Sequence, residues 1–374
     1  MRSTKYYQEF HPFYRTTFMN YIGSKWSLLS FLEKSILEIA DKDCRSFCDL
    51  FAGTGAVGKH FKEKGFEITA NDMQYYSFIL NRHYIGNTGM LAFENLRELL
   101  PEIPTFNIDK RALFICNYLT SIPPVEGFIY NNYCLGGTRG EDAERLYFTD
   151  ENGKQCDAIR IKIEDWYKEN LISENEYFFL LATLIENIDK LANTASVYGA
   201  YLKKIKKSAA GKLQMNPAVQ ISGNPHQQVF CEDANTLISK IKGDILYLDP
   251  PYNHRQYAAN YHLLETIAKY DAPALKGKTG LRNYSEQKSD YCMKSKVSAS
   301  FEALIQQADF KYIFLSYNNE GLMSLDEVKK IMSQRGEYGL FTKEYSRFKA
   351  DKTENRQHKA NSTFEYLHYV KIKD

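Results

Sequence analysis

Apolar residues along this chain switch between two periods. Leu28, Leu29, Leu32, Ile36 and Ile39 fall on one face at helical spacing and predict an amphipathic helix. A short apolar run from Ser46 to Leu50 predicts a strand, followed by the turn Phe51-Ala52-Gly53-Thr54-Gly55. A helix is then expected from Ala56 to Lys64, stopped by Gly65, and a second strand from Phe66 to Ala70 ends at Asn71-Asp72. Strand, helix and strand at this spacing make a βαβ unit. Further strands are expected from Gln228 to Cys231, Asp244 to Leu248 and Tyr312 to Ser316. The alternating segment Phe364-Glu365-Tyr366-Leu367-His368-Tyr369-Val370 pairs in a hairpin with a strand that starts near Tyr338-Gly339.

About 155 residues separate Asp72 from Gln228, far more than one βα step needs. They include helical stretches such as Glu176 to Leu191. A second, mainly helical domain inserted between the second and third strands is therefore expected, as residues 86–225 between a divided α/β domain of residues 1–85 and 226–374.

Composition narrows the picture without deciding it. In 374 residues the formal charge is only +2, so any attraction to nucleic acid must be local. Seven cysteines form no CxxC pair and the eight histidines show no ligand spacing, so no metal site is expected. No apolar leader follows Met1 and no apolar run reaches membrane-spanning length, so a soluble, cytoplasmic chain without membrane attachment is expected.

Four positions carry candidate chemistry. Asp49 precedes the glycines of the first strand–helix turn, where a carboxylate suits a cationic group such as the amine of a methionine moiety. The pattern is neither a dinucleotide fingerprint nor a P-loop. Asp72 ends the second strand about 20 residues later, where a carboxylate can reach ribose hydroxyls or cap a helix. Asp233, before Ala234, ends the third strand and could accept from an adenine amine or equally cap the next helix. Asp249-Pro250-Pro251-Tyr252 ends the fourth strand. Its two prolines fix φ and donate nothing, leaving nearby carbonyls free. A carboxylate and a carbonyl that both accept from one exocyclic amine would localise its lone pair for attack on an activated methyl, and Tyr252 offers a face for the base.

With Tyr21-Ile22-Gly23-Ser24-Lys25 ahead of them, these motifs resemble the Dam-like family of adenine-N6 DNA methyltransferases, in that family's order of cofactor region, recognition domain and catalytic motif. The resemblance spans both ends of the chain but not the insert. It implies a Rossmann-like methyltransferase sheet with a reversed terminal hairpin, an inserted target-recognition domain, and S-adenosylmethionine as cofactor. It also implies that Tyr21, Gly23 and Lys25 lie beside the cofactor, with Lys25 near its carboxylate, and that Phe51, Ala52, Gly53 and Gly55 line the pocket. Asp at the first catalytic place points to adenine; Asn there would suggest amide or ribosomal RNA substrates, and Ser cytosine-N4.

Double-stranded DNA is the expected partner, with the target adenine flipped out; a companion restriction nuclease is left open. The expected phosphate contacts are Lys203, Lys204, Lys206, Lys207 and Lys212 in the insert, with Arg347 and Lys349 near the terminal hairpin. Gly137 to Gly140 and Arg145 to Phe148 are candidates for a base-reading loop, and Tyr257 and Tyr261, on one helix face, for the target pocket. An RNA adenine methyltransferase and an inactive binding module are the competing readings.

Overall fold

A computed structural model of the chain describes residues 23–346 and 362–372. They form two compact units: Gly23–Asn81, Ser222–Asn260 and the chain from Tyr284 on make one, and Arg82–Ile221 with Tyr261–Asn283 make the other.

The first unit is built on strands whose sequences suit burial on both faces. Strands β1 (Ser46–Asp49), β2 (Glu67–Asn71), β3 (Gln228–Phe230), β4 (Lys242–Leu248), β5 (Asp309–Asn318), β6 (Gly336–Ser346) and β7 (Ser362–Ile372) form one sheet. Their order is β3-β2-β1-β4-β5-β7-β6. Pairing is parallel from β3 to β5, whereas β7 runs antiparallel to both β5 and β6. This is the α/β sheet with a reversed terminal hairpin that the periodicity and the resemblance predict.

Phe47, Ile245, Leu246, Tyr247 and Leu248 are buried, as the near-continuous apolar runs of a parallel sheet must be. One face is closed by Phe47 stacked on Phe61 of the helix Ala56–Glu63, with ring centroids 4.1 Å apart. The other packs Leu246, Leu248, Ile313 and Leu315 against Phe301, Leu304 and Ile305 of the helix Val297–Gln307. Asp244 fixes the register at the far end of the sheet. It accepts the N–H groups of Arg45 and Ser46 and pairs with Lys311, and these partners hold its carboxyl well below the usual range despite burial.

The second unit is mainly helical. Helices Asp150–Lys168 and Glu174–Lys190 pack together and are joined by a short turn. Ser173 and Glu176 form a reciprocal capping box that starts the second of them. This unit also takes in Tyr261–Asn283, a segment that lies outside the 86–225 insert read from the sequence. The long gap locates an insertion but gives no warning that a later stretch of chain packs with it. Asp157 shows how polar groups are used inside this unit. Fully buried, it accepts from the N–H groups of Gly127, Ile129 and Tyr130 and from the Tyr270 hydroxyl at 2.6–3.1 Å. No described helix is long and apolar enough to cross a membrane.

Because Asp157→Ala strands three backbone donors and a phenol in the interior, it should lower unfolding free energy by about 3 kcal/mol or more. Urea denaturation followed by circular dichroism measures this.

Candidate active site

In an open parallel sheet, ligands bind beyond the C-terminal ends of the strands where the strand order reverses. Here that point lies between β1 and β4, which neighbour one another while the chain builds outward on either side. Asp49 ends β1 and is opposite Tyr247 of β4, so Asp249 emerges two residues further along the same edge.

Asp49 is buried. Its Oδ2 accepts the Gly58 N–H at 3.1 Å, while its Oδ1 has no hydrogen-bond partner among the described residues. Burial, with the Asp249 charge added, pushes its pKa up to about 8 against the Gly58 hydrogen bond. An orphaned buried carboxylate oxygen is a ready acceptor for a ligand's ammonium. The turn beyond it needs its glycines, since Gly53 and Gly55 have φ of 51° and 78°. Phe51 and the buried Ala52 lie in the same turn, and Phe51 meets Tyr291 edge-on at 5.1 Å.

The turn is stapled from below by side chains that periodicity does not reveal. Asn71 bridges three strand ends: it donates to the Leu50 and Glu232 carbonyls and accepts the Glu232 N–H. Asn81 donates to the Gly53 carbonyl. Asp72 accepts the Gly53 N–H through Oδ2 and the Gln74 N–H through Oδ1, so it shapes the turn and also starts the following helix. Asp233 is exposed and caps the helix Ala234–Leu237 through Thr236. Of its two open readings, the cap is the one the structure displays.

Asp249 faces Lys25. Lys25 is buried, with Nζ 2.9 Å from Asp249 Oδ1 and 3.1 Å from Glu365 Oε1 in β7. Its partners here are thus two carboxylates of the protein. Burial works to lower the pKa of this lysine, but Asp249 and Glu365 outweigh it and hold the ammonium charged. Asp249 itself is pushed up to about 6, by burial first, with Lys25 opposing and Glu365 adding to the rise. No hydrogen bond reaches the Pro250 carbonyl among the described residues, whereas the Tyr252 carbonyl accepts the Leu322 N–H at 3.0 Å. Tyr252 is half-buried. Gly23, at φ 82°, lies close to Tyr257, whose hydroxyl would be 3.1 Å from a side chain there.

Other sequence candidates fare differently. Arg145 and Tyr147 are buried in the helical unit and hold the turn at Gly277 to Gly280 through its carbonyls, a structural use that removes them from a base-reading loop. Tyr257 and Tyr261 do not share a helix: Tyr261 lies between two helices, and its ring packs on Tyr198 in the helical unit. Lys203, Lys204, Lys207 and Lys212 are exposed, but the Lys206 ammonium donates to the Thr194 carbonyl at 2.7 Å. Tyr21, Arg347 and Lys349 lie outside the described residues. Glu365 was missed. A carboxylate in a strand paired on both sides needs a cation, but the sequence does not say which. No group of His, Cys, Asp and Glu that could hold a metal occurs among the described residues.

Residues 21–333 match the model of the D12 class N6 adenine-specific DNA methyltransferases. The chain belongs to this family. It is 55% identical to the type II methyltransferase M.NlaIII of Neisseria lactamica, over 94% of this chain and 99% of that protein. It is 34% identical to the type II methyltransferase M.CviAII of Paramecium bursaria Chlorella virus 1, over 95% and 98%. M.FokI of Planomicrobium okeanokoites is 40% identical over 94% of this chain, which spans only 52% of that longer protein. Membership makes this D12-class protein an adenine-specific DNA methyltransferase and sets aside the RNA and inactive-module readings.

Asp49 binds its proton more tightly folded than unfolded, so its stabilising contribution is lost as pH rises from about 4 to about 8. Asp49→Asn should therefore raise the melting temperature of the ligand-free enzyme at pH 8–9 by about 2 °C or more and leave it nearly unchanged near pH 4. Calorimetry across that range tests the sign.

Proposed function

We propose that the enzyme uses S-adenosylmethionine to methylate N6 of an adenine flipped out of double-stranded DNA, as the modification member of a type II restriction–modification system. The system assignment rests on the names of M.NlaIII and M.CviAII. When bound, the cofactor supplies an electrophilic methyl group. The observation that carries the catalytic reading is the buried Asp249 at the strand edge, with one oxygen on Lys25 and, beside it, a Pro250 carbonyl that has no partner among the described residues.

In this reading the orphaned Asp49 oxygen receives the cofactor's amino group, and Gly53, Gly55, Ala52 and Phe51 form the wall beside it. Asp72 meets ribose hydroxyls while keeping the turn in shape, and Gly23, Asp233 and Ala234 complete the pocket, with Tyr21 added by resemblance. Asp249 and the Pro250 carbonyl accept the two N–H groups of adenine N6, and Tyr252 stacks on the base. Two acceptors fix the amine out of conjugation with the ring and favour the positive charge that develops on N6, so no strong base is required. Asp249→Ala should reduce methyl transfer from labelled cofactor to unmodified DNA by about 1,000-fold or more while cofactor affinity stays within a few fold. Near-normal transfer by the variant would overturn the assignment of Asp249.

The helical unit serves as the target-recognition domain, and Lys203, Lys204, Lys207 and Lys212 are its phosphate contacts, together with Arg347 and Lys349. Replacing the four lysines by alanine should weaken DNA binding and flatten the slope of log affinity against log salt by roughly 3 to 4. Lys206→Ala should instead lower thermal stability. An unchanged slope in the fourfold variant would place the DNA elsewhere.

A further inference from the structure

Glu365 lies at the active edge, yet neither the motifs nor the family description assigns it a role. It is fully buried in β7, opposite Asn318 of β5 and Lys343 of β6. Lys343 does not neutralise it, because that ammonium lies over the Phe31 ring. Glu365 Oε1 instead accepts from the Ser316 hydroxyl and from Lys25, whose side chain is 8% exposed. Lys25 thus reaches Asp249 with one of its three donors and Glu365 with another.

We propose that Glu365 is a positioning residue for methyl transfer: held by Ser316, it anchors the Lys25 ammonium so that Lys25 engages one oxygen of Asp249 and leaves the other to the adenine amine. The proposal rests on the assignment of Asp249 as the amine acceptor.

A lysine paired with Asp249 alone could slide across both oxygens and cancel the charge that the reaction needs. Drawn also toward Glu365, it binds Asp249 at a single point. Two carboxylates sharing one cation leave the edge with net negative charge, which suits positive charge growing on N6. The other titratable groups around Asp249 are Tyr247 on its own strand, Asp49 at the end of β1 and Tyr252 beyond the prolines. Of the groups that face it, Lys25 alone brings positive charge among the described residues, so the position of that ammonium governs the proton affinity of Asp249.

The dependence of kcat/KM on pH reads this directly. Asp249 must be ionised to accept, so activity should fall below about pH 6 in the wild type. Glu365→Gln removes a like charge and gives Lys25 wholly to Asp249. The acid limb should move to lower pH by roughly one unit, while the plateau rate falls roughly tenfold because the acceptor is neutralised. Lys25→Met should move the limb the opposite way. If Glu365→Gln does not fold, Glu365→Asp withdraws the carboxylate from Lys25 by one methylene, and its limb should lie between those of the wild type and the Gln variant. A limb that stays at the wild-type pH in whichever Glu365 variant folds, with any loss of rate following a loss of melting temperature, would overturn the proposal and leave Glu365 structural. Asp249→Asn separates the two readings. If it retains transfer, the assignment of Asp249 fails first; if it is inactive while the Glu365 limb is unmoved, only the positioning role fails.

Discussion

The parallel pairing of β1 with β4 is the constraint on which the site depends. Both strands are apolar and buried, and their register puts Asp49 opposite Tyr247. The chain leaves β1 and β4 at the same edge, so Asp249 ends up close enough for its charge to resist the ionisation of Asp49. A slip of one residue would turn every side chain of one strand to the opposite face and separate the carboxylates from the glycine turn. Asp244 guards against such a slip from the far end, where its bonds to β1 and Lys311 tie three neighbouring strands together.

That edge collects more negative charge than its surroundings neutralise. Among the described residues no cation pairs with Asp49, and Asp249 shares Lys25 with Glu365. In isolation this is destabilising, since burial disfavours each charged form. Under the proposed function, a pocket that receives a cationic cofactor and favours positive charge developing on an amine gains from the same arrangement. Among the described residues, Asp49 Oδ1 and the Pro250 carbonyl have no hydrogen-bond partner, and in that proposal both are acceptors for the ligands.

The helical unit uses its polar groups differently. Asp157 and Arg145 are buried and fully engaged in holding backbone turns, which makes them scaffold. Charge available to a partner is left to the exposed lysines, and even within that run Lys206 is committed to a carbonyl. A basic cluster in a sequence therefore marks a region without sorting its members, because only packing decides which ammonium faces water.

By itself the sequence determined the βαβ start, the five parallel strands, the terminal hairpin and the acidic residues at the ends of four of those strands. These follow from local period, glycine and proline placement, and the order of motifs. The sequence also marked an insertion, because about 155 residues exceed any simple crossover. Tertiary structure alone decided that Tyr261–Asn283 joins the helical unit, that Asn71 and Asn81 staple the glycine turn, and that Lys25 is shared by Asp249 and Glu365. The reason is separation along the chain. Lys25 and Glu365 are 340 positions apart, and their meeting depends on β7 returning antiparallel beside β5, which no local pattern records.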